Sequence, residues 1–285
     1  MRTLTVLETG ILATVQDLGR AGLAGLGVSA SGAADVSALR LGNRLLGNDD
    51  GAAGIEVTHG GLVVRADEEV TVALTGAPCP ATAGGIAVGG NGPVRLGAGI
   101  ELRLGVPSAG LRTYLTVRGG IDVPPVLGSR ATDVLSGLGP DVLSPGTELP
   151  VGAPPRRQPN LDVAPVAMPP TGEVVLRMLP GPRHDWFVAG ALDELLGSPY
   201  QVSADSNRVG LRLLGSPLRR AREDELPSEG MVPGALQVPP SGQPTLFLVD
   251  HPVTGGYPVV GVVVTADLGL AAQLRPGQPV RFKAV

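Results

Sequence analysis

The stretch Ala235-Leu-Gln237-Val-Pro-Pro-Ser-Gly242-Gln-Pro-Thr245-Leu-Phe-Leu-Val249-Asp250-His251-Pro-Val-Thr254-Gly255-Gly256-Tyr257-Pro258 decides the fold. It holds two short apolar runs, Ala235 to Val238 interrupted by Gln237 and Thr245 to Val249, separated by the turn chemistry of Pro239 to Gly242. The spacing predicts a β-hairpin with one buried arm. Directly after that arm come a carboxylate (Asp250), an imidazole (His251), a hydroxyl (Thr254), two glycines and the phenol of Tyr257. Gly255 and Gly256 are free to adopt positive φ and to present consecutive N–H groups to an anion. The same residues also read as a plain polar turn.

The rest of the chain has the same texture. Glycine and proline, 43 and 28 of 285 residues, lie between short apolar runs without repeating, which points to a β-rich chain with many turns. The length corresponds to about two domains, and 43% hydrophobic residues suffice for real cores. A net charge of −4 with 2% aromatic residues argues against nucleic acid, which asks for basic patches and stacking rings. A small acidic or neutral substrate is the expected ligand. Cys79 is the sole cysteine, so neither a disulfide framework nor a cysteine-based metal cluster is expected. Without a basic-then-apolar leader or a run of 18 apolar residues, the expected location is cytoplasmic, away from membranes. Lys283 is the only lysine against 21 arginines, which argues against a Schiff-base, P-loop or biotinylated carrier lysine.

In chain order, Gln16-Asp17-Leu-Gly-Arg20 opens a glycine-punctuated loop that is not a dinucleotide fingerprint. Ser31 is the predicted N-cap of a helix ended by Gly47, with Asp35 in its first turns. Asn43 falls on the apolar stripe of that helix and reads as a hydrogen-bonding post or as a site member. Period-two runs between Ile55 and Leu104 predict a barrel or sandwich. Six prolines between Pro154 and Pro170, Pro159 among them, predict a linker over 156–171 between domains 1–155 and 172–285. The second half opens with a strand, Val174 to Leu179, and a helix running to about Leu196 with Val188, Leu192 and Leu195 on its inner stripe. A polar turn, Asp205-Ser206-Asn207-Arg208, then feeds a strand whose Arg208 and Arg212 share one face. Arg208 reads either as a fork for a substrate carboxylate or as a brace for the turn.

Several stretches in one order carry a resemblance: Gln16 to Arg20, Ser31-Gly-Ala-Ala-Asp35, Val117 to Thr132, Gly181-Pro…Asp185-Trp-Phe, Ser206-Asn-Arg-Val-Gly210, Glu229-Gly…Gln237-Val-Pro and Thr254 to Pro258. From about Val15 to Phe282 the chain resembles the biotin-dependent carboxyltransferase-related family, which includes the C-subunit of 5-oxoprolinase (KipA), allophanate hydrolase subunit 2 and part of urea carboxylase. The resemblance implies a mainly β fold with a few helices, arranged as two cyclophilin-like open β-barrel domains. It also implies a subunit of a complex that opens 5-oxo-L-proline to L-glutamate with ATP as co-substrate, its partners being a KipI-like chain and a LamB/YcsF-type chain. Two alternatives stand beside it. One is a carboxyltransferase subunit of a biotin-dependent urea or amide carboxylase, the biotin being carried by another chain. The other is a non-catalytic regulator that binds a KipI-like kinase inhibitor. Asp and Lys are common in the family where this chain has Asn207 and Val259.

Lactam opening needs a carboxylate anchor, charge stabilisation on oxygen and proton transfer. On that chemistry Asp250 or Tyr257 is expected to move a proton, the Gly255 and Gly256 amides with Thr254 to hold an anionic oxygen, Gln237 to bond the substrate amide, and Arg208 to anchor its carboxylate. Gln16, Asp17, Arg20, Ser31, Asp35, Ser206, Asn207 and Glu229 are further candidates from the shared motifs, and Asn43 is one from the apolar stripe of the helix.

Overall fold

Between Val174 and Pro180, Val174, Leu176 and Met178 are buried while Val175, Arg177 and Leu179 face out, the period of a strand covered on one side only. Short apolar runs between Gly/Pro turns form strands throughout, some alternating in this way and others, such as Arg112–Val117, buried along their whole length, and the protein is mainly β with three short helices. The computed structural model describes residues 2–157 and 162–285. Among them, no helix is long and apolar enough to cross a membrane.

The chain divides into two units. The first comprises Met1–Arg20, Ser31–Asp133 and Gly137–Pro169, the second Ala21–Ala30, Val134–Ser136 and Pro170–Val285. Residues 21–30 and 134–136, expected in the first half, therefore group with the second. For 134–136 the tie is visible: Val134 N donates to Asp250 Oδ2 at 3.1 Å. The expected linker, 156–171, falls in part on 158–161, including Pro159, which lie outside the described residues.

Unit 1 contains β1 (Thr3–Thr9), β2 (Leu12–Gln16), α1 (Val36–Leu45), β3 (Gly54–Thr58), β4 (Leu62–Ala66), β5 (Val70–Gly76), β6 (Ala81–Ala83), β7 (Ile86–Val88), β8 (Pro93–Leu96), β9 (Glu101–Leu104), β10 (Arg112–Val117) and β11 (Glu148–Pro150). These form a six-stranded sheet, β11-β1-β4-β9-β6-β7, and a five-stranded sheet, β2-β3-β10-β5-β8. Leu4, Val6, Val64 and Leu102 from the first sheet share one core with Val15, Ile55, Val72 and Leu115 from the second. Each such side chain, withdrawn from water, contributes about 1.5–3 kcal/mol before the entropy of ordering is counted.

Helix α1 starts later than the sequence suggests. Its N-cap is Asp35, whose carboxylate accepts from Ala38 N at 3.1 Å. Ser31 lies upstream with φ +52° and is not the cap.

Unit 2 contains β12 (Val174–Pro180), α2 (Ala191–Gly197), β13 (Tyr200–Val202), β14 (Gly210–Leu214), β15 (Glu229–Gly230), β16 (Ala235–Gln237), β17 (Thr245–Phe247), β18 (Thr254–Gly255), β19 (Val259–Val263), α3 (Leu268–Ala272) and β20 (Pro279–Ala284). Seven of these strands form a barrel in the order β12-β19-β16-β17-β14-β13-β20, closed by the parallel pair β12–β20. Helix α2 is shorter than expected, and Val188 lies outside it.

The hairpin read from the opening stretch is β16–β17, with Leu236 opposite Leu246 and Gln237 opposite Thr245. Its turn closes with Gly242 N donating to Pro239 O at 2.9 Å, with Pro240 in the second position and a positive-φ glycine in the fourth. A Cβ on Gly261 in β19 would run into Met178 Cε, so a larger residue there requires the Met178 side chain to move.

Candidate functional site

Three neighbouring strands of the unit 2 barrel carry two parallel rows of side chains. Leu211 on β14 faces Leu246 on β17, which faces Leu236 on β16, and all three are buried in the barrel core. One residue along, Arg212 faces Thr245, which faces Gln237. Directly opposed residues share a face and successive residues alternate, so the second row lies on the outer surface of the barrel.

Over that row opens a cavity of about 380 Å³ lined by Asn207, Arg212, Gln237, Thr245, Phe247 and Tyr257, among others. Gln237 is anchored at its amide nitrogen, which donates to Tyr257 O at 3.2 Å. Asn207 is anchored at Oδ1, which accepts from Val209 N at 2.8 Å in an Asx turn. Among the described residues, what remains without a hydrogen bond or ion pair is the Arg212 guanidinium, Asn207 Nδ2, Gln237 Oε1, Thr245 Oγ1 and the Tyr257 hydroxyl. The cavity therefore offers a cation, an amide donor, an amide acceptor and two hydroxyls. The Tyr257 ring is backed by Arg220, whose Cζ lies 5.4 Å from its centroid.

The other residues expected around this loop have different roles. Arg208 and Asp250 are fully buried and bind each other as a fork, Nε to Oδ2 at 2.8 Å and Nη2 to Oδ1 at 3.0 Å. Arg208 lies ahead of β14 and does not share the exposed face of Arg212. Its guanidinium forks the Asp250 carboxylate, and with both side chains enclosed neither lines the cavity.

Gly255 and Gly256 do not adopt positive φ, so no anion nest forms there. Gly255 instead pairs with Glu229 in the β15–β18 ladder, and a Cβ on it would lie 2.5 Å from Gln237 Nε2. The glycine is there for close approach, and Thr254 beside it is exposed in the same short strand. Glu229 is held by Arg183 through hydrogen bonds to both carboxylate oxygens, which keep its carboxyl below the usual range. Ser206 Oγ accepts from Arg212 N at 3.0 Å, fixing the start of β14. Val259, opposite Gln237 across a bulge in the β16–β19 ladder, is buried with Met231, Ala235 and Phe247.

The profile of the Carboxyltransferase domain, subdomain A and B, matches residues 26–284. The chain belongs to the carboxyltransferase-domain family. It is 41% identical to the 5-oxoprolinase C-subunit of Escherichia coli (strain K12) over 98% of its own length and 90% of that protein's. It is 31% identical to the "Urea amidolyase" of Lachancea kluyveri over 97% of its length but only 16% of that protein's. The crystal structure of the K. lactis urea amidolyase superposes on 99% of the chain and 19% of its own with a TM-score of 0.92 at 28% identity.

In this carboxyltransferase-domain chain the motif residues of unit 1 form a separate, enclosed cluster. Asp17 Oδ1 accepts from Gly19 N and Ser129 Oγ, both at 2.7 Å, and its Oδ2 accepts from Arg130 N at 2.7 Å. Gln16 Nε2 donates to Thr132 O at 2.8 Å, Ser31 Oγ to the same oxygen at 3.3 Å, and Arg20 Nη2 to Ala131 O. Within this cluster Gln16 Oε1, Arg20 Nη1 and Thr132 Oγ1 are enclosed with no hydrogen-bond partner. Asn43 is a post: its Nδ2 donates to Ala52 O at 2.7 Å and its Oδ1 accepts from Asn48 Nδ2 at 3.1 Å.

Nearby, Glu56 Oε2 accepts from Ala34 N and from the Tyr114 hydroxyl, which in turn accepts from Asp35 N. Burial first, and then the Glu56 charge, push the Tyr114 phenol well above its ordinary range. Among the described residues, no grouping of three or more His, Cys, Asp or Glu side chains is arranged to hold a metal ion.

The residues that sequence reading left out are Arg212 and Thr245. The signal for them was alternation, because Arg212 stands between the buried Leu211 and Leu213.

Proposed function

We propose that this chain is a subunit of an ATP-dependent 5-oxoprolinase complex that converts 5-oxo-L-proline to L-glutamate, and that the lactam binds over the Arg212–Thr245–Gln237 row. The observation that carries the reading is the set of uncommitted polar atoms on that row. The near full-length likeness to a 5-oxoprolinase C-subunit supports the choice of substrate.

Arg212 pairs with the substrate carboxylate. Gln237 Oε1 accepts the lactam N–H, while Thr245 and Asn207 Nδ2 donate to the lactam oxygen, where negative charge grows as the ring is attacked. Tyr257 is the group that transfers a proton to the departing ring nitrogen, a role it holds in place of Asp250. ATP, used by the complex, supplies the activation that a poorly electrophilic amide lacks. A KipI-like partner and a LamB/YcsF-type partner complete the assembly in the cytoplasm.

The test is glutamate release from 5-oxoproline and ATP by this chain alone and with the two partners added. The expected result is turnover only in the assembly. An assembly that binds this chain yet releases no glutamate overturns the reading.

Superposition on the urea amidolyase favours one second reading, carboxyl transfer to a urea-like amide from biotin on another chain. Urea has no carboxylate for Arg212 to hold. Retention of full activity by Arg212→Ala in a carboxybiotin-coupled assay with urea therefore supports this alternative over the lactam.

A further inference from the structure

Behind the Tyr257 ring, unit 2 has a second and larger cavity, about 530 Å³, lined by Pro217, Leu218, Arg219, Arg220, Glu223 and the hairpin turn Pro240–Gly242. Its volume falls in the range of small-molecule sites. Two consecutive arginines line it, and their hydrogen bonding is incomplete. Arg220 donates from Nη2 to Val238 O at 2.6 Å and its Nε is enclosed without an acceptor. Its Nη1 is neither enclosed nor bonded, and Arg219 makes no side-chain hydrogen bond or ion pair among the described residues. The one carboxylate on the wall, Glu223, is exposed and pairs with neither arginine among the described residues.

We propose that this cavity binds the phosphate group of a phosphorylated small molecule of nucleotide size, gripped by Arg219 and Arg220. The Arg219 guanidinium, the remaining Nη1 of Arg220 and a hydroxyl, Ser241, on the facing turn present more donors than one planar carboxylate accepts, and they suit a tetrahedral oxyanion. The cavity walls leave room beyond the phosphate for the rest of the ligand. Glu223 lowers the affinity for any anion that enters and sets a limit on how tightly a bare one is held. The inference does not rest on the lactam reading: phosphate binding is expected whether or not 5-oxoproline is turned over.

The segment that carries the arginines also carries its own reporter. Phe187 bridges to Arg220, Ala221 N donates to Trp186 O at 2.8 Å, and Arg222 Cζ stands 4.9 Å from the centroid of Trp186, the only tryptophan in the chain. A ligand that draws in Arg219 and Arg220 moves the charge beside that indole.

The experiment titrates the whole chain with inorganic phosphate, ADP and acetate at constant ionic strength, reading Trp186 fluorescence and thermal midpoint. Saturable responses to phosphate or ADP are expected, with ADP at least tenfold tighter than phosphate and acetate silent. Arg219→Ala should weaken binding at least tenfold while leaving the midpoint of the free chain unchanged, and Glu223→Gln should tighten it several-fold. Arg220→Ala, whose side chain also ties Val238, is read only if its far-ultraviolet spectrum is native. No response to phosphate or ADP overturns the proposal, as does an acetate response equal to that of phosphate, or binding untouched by Arg219→Ala.

Discussion

Both units enclose an arginine–carboxylate pair, Arg112–Glu56 at 3.3 Å in unit 1 and Arg208–Asp250 at 2.8 Å in unit 2, and all four side chains are at most 2% exposed. Each unit also encloses polar atoms without a hydrogen-bond partner, Gln16 Oε1, Arg20 Nη1 and Thr132 Oγ1 among them in unit 1 and Arg220 Nε in unit 2. Unit 2 differs in having further uncommitted polar atoms on the wall of an open cavity outside the barrel. An enclosed unpaired group costs about 1–3 kcal/mol and serves packing or an internal water, whereas the same group on a half-open wall costs little and is available to a substrate. The proposed site accordingly lies where uncommitted atoms face a cavity and not in the densest cluster of motif residues.

The largest effect expected is on the two buried pairs. Asp250→Asn and Glu56→Gln should each lower stability by about 3–5 kcal/mol, because each takes a charged partner from a guanidinium in the interior. Urea titration of each purified variant measures this. A fully stable Asp250→Asn chain whose complex has lost turnover would break the comparison and return Asp250 to the chemistry.

Next in size, Arg212→Ala should lower 5-oxoproline turnover by the complex about 100-fold, roughly 2.7 kcal/mol, with under about 0.5 kcal/mol lost in stability. Equal loss from Arg20→Ala without unfolding would show that the enclosed cluster of unit 1 takes part after all. Gly255→Ala tests the close approach to Gln237. The added methyl displaces an amide that lines the cavity, so a roughly tenfold loss of kcat/KM is expected with a midpoint shift of only a few degrees. An unchanged kcat/KM would remove Gln237 from the site.

The smallest effects are those of pH. Burial raises Tyr114 well above its usual value and Tyr200 to about 12. A phenol whose folded pKa exceeds the unfolded value near 10 contributes stability that is full below about pH 10 and is lost as pH rises toward the folded value. Asp267 runs the other way. Hydrogen bonds from Arg177 lower it, so its contribution is present above about pH 4 and is lost as pH falls through the folded value. Urea midpoints measured at pH 3, 7 and 11 should therefore fall at both ends. Asp267→Asn should flatten only the acid limb and Tyr114→Phe only the alkaline one. An alkaline limb unchanged by Tyr114→Phe would show that its burial does not set that limb.

Alternation and turn residues alone establish that the chain is β-rich, that 235–249 is a hairpin and that a polar loop follows it, although both arms of the hairpin are buried where the sequence suggested one. These are properties of a two-residue period punctuated by glycine and proline, and neighbours along the chain suffice to set them. The residue types also marked Gln237, Asn207 and Tyr257, which the folded barrel brings to one cavity. Partnership was not legible. Arg208 and Asp250 are 42 residues apart and consume each other, while Arg212, four positions on, stays uncommitted. Nor did the Gly255-Gly256 pair reveal that its first glycine makes room for an amide from another strand in place of cradling an anion. Which polar group is satisfied and which is left for a ligand depends on the register of strands distant in sequence, and that is settled only when the barrel closes.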